Sequence, residues 1–190
     1  MKLILASASP RRLDLLARIG VEPDAVVPAD IDETPRRAER PVDYAVRMAD
    51  EKAASVAARE PDAVVLAADT VVAAGRRILP KTDSEEEARA TLTLLSGRRH
   101  RVLSAVTCVA PDGTARHRLS TSIVGLTRLT ANEIAAYLAS GEWRGKAGGY
   151  AIQGRAEAYV RFLSGSHSGV VGLPLFETRA LLIAASYPLG

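Results

Sequence analysis

The chain has a single cysteine, Cys108, so no disulfide can form within it. Its place in the apolar run VLSAVTCVA marks a buried, inert thiol of a reducing compartment. Aromatic residues make up only 4% of the chain, which leaves no stacking platform of the kind single-strand binders use. The net charge is +3, but the basic residues are interleaved with acids such as Asp83, Glu85, Glu86 and Glu87. Nucleic acid is therefore not the expected partner. No apolar run reaches the roughly 18 residues of a membrane span. The apolar part of MKLILASASP is too short for a signal peptide and PRR follows at once. No membrane partner and a cytoplasmic location are expected.

Several chemistries are missing too. His100, His117 and His167 have no metal-ligand spacing, and there is no HExxH. A GxSxG elbow, a GxxxxGKS/T phosphate loop and a GxGxxG turn are absent. Lysine is scarce: among 25 basic residues only Lys2, Lys52, Lys81 and Lys146 are lysines. In an arginine-preferring chain a lysine is more often there for a reason.

What is present is the length and composition of an ordinary folded domain, 190 residues with 47% hydrophobic and 25% charged. Its centre is Ala63 to Ala74, AVVLAADTVVAA, apolar except for Asp69 and Thr70. A β-branched run this oily predicts a strand buried on both faces. An ionised carboxylate there costs several kcal/mol, roughly, unless a cation, a metal or a hydrogen-bond donor meets it.

The rest of the chain alternates strands and helices. Lys2 to Ala6 reads as a short strand, and Ser9 and Pro10 as the N-cap and first position of a helix that Gly20 ends. Arg11 and Arg12 then lie in the first turn, where an anion would suit them; two solvated arginines fit equally well. A short strand around Val26 precedes an acidic loop with Asp30, Asp32 and Glu33. Val42 to Arg59 has the periodicity of a helix, with Lys52 at its flank. Ser84 with Glu87, and Thr130 with Glu133, form capping boxes for two further helices. Between them Arg101 to Ala110 and a strand ending at Leu126 form a hairpin around Pro111-Asp112-Gly113. Gly141 to Gly154 is glycine-dense, yet Trp143, Tyr150 and Ile152 predict that it packs. Strands Tyr159 to Leu163 and Val170-Val171, then a helix from Leu175 to Ala185, complete an α/β fold with a mixed central sheet and flanking helices.

In open α/β sheets ligands bind beyond the carboxyl ends of strands. Asp69 ends the half-run AVVLAA, and Ser7, Ser9, Arg11 and Arg12 follow the first strand. If the two strands are neighbours, a carboxylate faces a cationic, donor-rich pocket. That combination suits a phosphorylated substrate with Mg²⁺ or Mn²⁺ bridging acid to phosphate, and hydrolysis of a phosphate ester or anhydride.

The ordered motifs carry a resemblance. Leu5-Ala6-Ser7-Ala8-Ser9-Pro10-Arg11-Arg12, Glu51-Lys52-Ala53, Ala68-Asp69-Thr70-Val71-Val72, His100-Arg101-Val102, Lys146 to Gly154 (KAGGYAIQG) and Val170 to Leu175 (VVGLPL) resemble the Maf family of nucleoside triphosphate pyrophosphatases. The likeness extends over nearly the whole chain and implies one Maf-like domain over residues 1–190. It implies two lobes around a cleft, similar to inosine triphosphate pyrophosphatases. It also implies metal-dependent hydrolysis of a nucleoside triphosphate to the monophosphate and pyrophosphate, and a homodimer. On that resemblance Asp69 is the base, Glu33 and Asp69 hold the metal, and Ser7, Ser9, Arg11, Lys52 and Lys81 contact phosphates. Arg12, Thr70 and Gln153 agree with the dTTP/UTP branch, and an amide at Gln153 offers a donor and an acceptor to uracil or thymine. Lys81 is flanked by Pro80 and Thr82, where the family commonly has glycine and proline. A non-catalytic nucleotide-binding regulator of cell division is the alternative; it needs the pocket but gives no reason for the carboxylate.

Overall fold

The computed structural model describes residues 1–189. In chain order its elements are β1 (Leu3–Ala6), α1 (Pro10–Ala17), β2 (Ala25–Val26), α2 (Pro41–Ala57), β3 (Val64–Ala74), β4 (Arg77–Leu79) and α3 (Glu85–Leu95). They continue with β5 (Arg99–Val109), β6 (Ala115–Leu126), α4 (Ala131–Ala139), a 3₁₀ turn (Arg155–Tyr159), β7 (Val160–Ser164), α5 (His167–Val171) and α6 (Leu175–Ala184). The strands form one mixed sheet in the order β2-β1-β3-β5-β6-β7. β1 runs parallel to β2 and β3, the pairs from β3 through β7 are antiparallel, and β4 pairs with β3.

Period-two alternation divides the core between the two faces of the sheet. Ile4, Ala6, Val65 and Ala67 pack with Ala53 and Val56, and Val71, Leu103 and Ala105 with Ala45 and Ala49, so α2 covers this face. On the other, Leu3, Leu5, Leu66, Val72, Val102 and Val106 join Leu15 and Leu16 of α1, Leu92 and Leu95 of α3, Ile134 of α4 and Leu181 of α6. Each such leucine contributes about 1.5–3 kcal/mol by leaving water. Both capping boxes form: Ser84 and Thr130 accept the amides of Glu87 and Glu133, and each glutamate reaches back to its cap.

Two local expectations fail. Val170-Val171 is not a strand but the end of the short helix α5. Ser166 caps it by accepting the Gly169 amide at 2.9 Å, and Ser104 fastens it by donating to the Gly169 carbonyl at 2.6 Å. Tertiary bonds outweigh the β-preference of two valines. Nor does the strand end at Asp69; β3 runs five residues beyond it, to Ala74.

What ends is the neighbouring strand. β1 follows β3 up to Ala6 opposite Ala67, and β4 begins with Leu79 opposite Val72. Between them residues 68–71 have no strand on that side, while β5 pairs them on the other. The Val64 amide donates to Lys2 at 2.8 Å, which sets the alternation along this edge. By that alternation the Thr70 amide points into the gap.

Candidate active site

The gap opens into a cavity of about 350 Å³, within the range of small-ligand sites. Its wall includes Ser7, Ser9, Arg11 and Arg12 from the β1–α1 junction, Glu33 from the acidic loop and Lys52 from α2. β3 contributes Asp69 and Thr70, and Lys81 and Gln153 come from two later loops. All ten residues singled out in the sequence thus meet at one cavity.

Asp69 and Thr70, adjacent in β3, face opposite sides of the sheet. Asp69 is 7% exposed and points toward α2, where Lys52 Nζ donates to its Oδ1 at 2.7 Å. Lys52 is therefore a buried residue, not a flank residue of α2. Its ammonium also lies 2.8 Å from Glu33 Oε1, and Lys81 Nζ lies 3.2 Å from Glu33 Oε2. Three of the four carboxylate oxygens are thus met by ammonium groups, and Asp69 Oδ2 accepts no hydrogen bond among the described residues. Burial alone would raise the Glu33 carboxyl; the two lysines outweigh it and hold it below its ordinary value. Tyr44 of α2 anchors the loop by donating to the Glu33 carbonyl at 2.7 Å. Asp32 is spent on a local turn, accepting the Thr34 amide at 2.9 Å.

On the opposite face Thr70 Oγ1 is 3.0 Å from Ser104 Oγ and 3.4 Å from the Gly172 carbonyl. Arg12 donates from Nε to the same carbonyl and from Nη1 to Ser7 Oγ, both at 2.9 Å. Burial lowers the Arg12 pKa; Asp69 opposes that and Arg11 adds to it. Arg12 and Thr70 are thus joined through Gly172, just past α5. Gln153 is exposed at the mouth and makes no hydrogen bond among the described residues. Ser9 precedes α1 without a side-chain capping bond, so its hydroxyl is not spent on the helix.

The glycine-rich stretch closes the cavity. Trp143, Tyr150 and Ile152 are buried, as their apolar character predicts. Gly148 has φ +73°, and a β-carbon there would stand 2.9 Å from Val72 Cγ1, so the loop rests directly on β3. Lys81 forms a β-bridge with Ala147. The next residue, Thr82, donates its amide to the Lys146 carbonyl at 3.3 Å and its hydroxyl to the Trp143 carbonyl at 2.9 Å. A proline there could not make the first bond; threonine ties the Lys81 loop to the glycine-rich stretch.

Two lining residues carried no role from the sequence. Lys146 lies close enough to Arg11 that burial, then the arginine's charge, lowers its pKa. The scarcity of lysine was the signal that could have singled it out. Tyr150 is the other: its hydroxyl is 2.7 Å from His100 Nε2, a pairing across fifty positions that no local pattern reveals. Five cations and two carboxylates therefore line the cavity. The charged end, with Glu33, Lys52 and Asp69, lies on the α2 face; Val72, Val102, Tyr150 and Ile152 form an apolar wall on the other.

No cluster of three or more His, Cys, Asp or Glu side chains suited to a metal occurs among the described residues. The Glu33 and Asp69 carboxylates nevertheless offer the hard oxygen donors that a divalent ion such as Mg²⁺ takes, with room in the cavity for further ligands. Cys108 is buried, which pushes its thiol up to about 12, and it takes no part in the site. No helix among these residues is long and apolar enough to cross a membrane.

Comparison with known proteins adds an independent line. A family model described as Maf-like protein matches residues 2–185. The chain is 63% identical to a dTTP/UTP pyrophosphatase of Sphingopyxis alaskensis, over 99% of this chain and 98% of that protein. It is 62% identical to a dTTP/UTP pyrophosphatase of Zymomonas mobilis, over 98% and 93%. Among solved structures, a nucleoside-triphosphatase / dITP/XTP pyrophosphatase of Mycobacterium abscessus aligns with a TM-score of 0.43 at 21% identity, covering 69% of this chain and 76% of that one.

Proposed function

The chain belongs to the Maf family, and we propose that it is a nucleoside triphosphate pyrophosphatase that hydrolyses dTTP and UTP to the monophosphate and pyrophosphate. The observation that carries this reading is the buried Asp69 at an open strand edge, facing a cavity rich in cations. Relatives about 60% identical over nearly their whole length and named for that activity support it. One sheet, with a family match from residue 2 to 185, supports a single domain.

In this reading the triphosphate lies among Ser7, Ser9, Arg11, Lys52, Lys81 and Lys146. The nucleoside lies along Val72, Val102, Tyr150 and Ile152. Glu33 and Asp69 would hold Mg²⁺ or Mn²⁺ together with phosphate oxygens; the ion supplies positive charge against the charge that builds on those oxygens. Asp69 Oδ2, which accepts no hydrogen bond among the described residues, takes a proton from the attacking water. Attack at phosphorus breaks the α–β bridging P–O bond, and the electron pair leaves with pyrophosphate. Arg11, Lys81 and Lys146 stabilise that leaving group. Gln153 reads the base with one donor and one acceptor. Arg12 and Thr70 act through shape, by fixing Gly172 and so the wall that the base meets.

The protein acts in the cytoplasm, an inference from its single reduced thiol and its substrate class. A panel of nucleoside triphosphates with inorganic pyrophosphatase and phosphate detection tests the activity. Release from dTTP and UTP above the other nucleotides is expected; no release from any nucleotide would leave a non-catalytic binder.

A further inference from the structure

Lys52 holds both acidic groups of the site at once, 2.7 Å from Asp69 Oδ1 and 2.8 Å from Glu33 Oε1. We infer that Lys52 is a placeholder cation that makes metal binding and triphosphate binding depend on each other. This rests on the nucleotide reading above. It adds that the divalent ion enters with the triphosphate, because the protein alone keeps ammonium groups on three of the four carboxylate oxygens.

The reasoning is a balance of charges in a confined space. The Lys52 side chain is 8% exposed and that of Asp69 is 10%. A divalent ion can take these carboxylate oxygens only if the ammonium withdraws. A buried ammonium that loses two carboxylates needs another anion within reach. Glu33 and Asp69 are the only carboxylates lining the cavity among the described residues, so the protein offers no third. A triphosphate supplies it: Lys52 turns to phosphate oxygens, Lys81 leaves Glu33 Oε2 for the same anion, and the freed carboxylates meet the metal. Each ligand thereby removes an obstacle to the other. Such coupling is reciprocal, and its usual size is about 5–150-fold in affinity.

Mn²⁺ alone is the first probe, with binding followed by the electron paramagnetic resonance of the free ion. The intact protein is expected to bind Mn²⁺ weakly. Lys52→Met, its fold checked by circular dichroism, is expected to bind at least about tenfold more tightly, because Asp69 Oδ1 and Glu33 Oε1 are released. Lys52→Arg keeps a cation in place and is expected to stay weak. Unchanged or weaker Mn²⁺ binding by a folded Lys52→Met would overturn the proposal. If that variant does not fold, the wild type decides with an α,β-imido analogue of UTP, after correction for the metal the analogue binds in solution. Saturating analogue should strengthen Mn²⁺ binding, and saturating Mn²⁺ should strengthen analogue binding by the same factor. No mutual effect would overturn it. The nucleotide-free arm is independent of turnover, so this inference and the pyrophosphatase reading fail separately.

Discussion

Asp69 and Thr70 are consecutive in one strand and serve opposite faces of the sheet, the first bound to Lys52 and the second to Ser104. Both reach one cavity because β1 stops opposite Ala67 and β4 starts opposite Val72. The site is a break in a sheet edge, through which a ligand can touch the charged face and the apolar wall together.

Removing the charge of Asp69 while keeping its shape should leave the fold intact and remove the base. Asp69→Asn is expected to keep the wild-type circular dichroism spectrum and lose about 10²–10⁴-fold in kcat, the usual worth of a general base. Steady-state pyrophosphate release from UTP measures it. A kcat within a few-fold of wild type would assign the proton to another group.

Gln153 stands exposed at the mouth, so its replacement should act on selectivity and not on stability. Gln153→Glu loses the amide donor and adds charge near the base. The kcat/KM for UTP and dTTP is expected to fall by roughly tenfold or more relative to GTP, the scale of one unsatisfied polar group. Equal losses for all nucleotides would place Gln153 away from the base.

His100 makes folding sensitive to acid. It is 3% exposed, its Nδ1 has no hydrogen-bond partner among the described residues, and burial lowers its pKa from 6.5 to about 4. Between those values the unfolded chain binds a proton that the folded one refuses, so stability is fully present above pH 6.5 and is lost as pH falls toward 4. The full effect is about 3 kcal/mol, at roughly 1.36 kcal/mol per pH unit. Urea unfolding across this range should show a shallower acid loss in His100→Gln than in wild type; parallel curves would contradict it.

Gly148 is held by two constraints, a positive φ and the contact with Val72. Gly148→Ala strains the backbone and pushes on β3, so a loss of about 1–3 kcal/mol is expected from overpacking, together with a raised KM for UTP. Thermal melts and saturation curves report the two effects. A variant as stable as wild type would mean that the loop does not rest on Val72.

Much of this was legible locally. The capping boxes at Ser84 and Thr130 depend on residues three apart, and a charge within AVVLAADTVVAA is anomalous wherever the strand sits. Other features depend on partners far along the chain. The burial of Lys52 follows from the packing of α2 over β3, and helical periodicity alone left it at the flank. Val170 and Val171 look like a strand until Ser104 and Ser166 fasten their backbone into a helix. The gap beside Asp69 was hidden because it depends on where two other strands end.

Product identity tests the account most directly. Wild-type protein incubated with Mg²⁺ and dTTP or UTP, followed by phosphorus NMR, should convert each nucleotide to its monophosphate and pyrophosphate, with Asp69→Asn nearly inert. A nucleoside diphosphate with orthophosphate, or no turnover of either nucleotide, would contradict it.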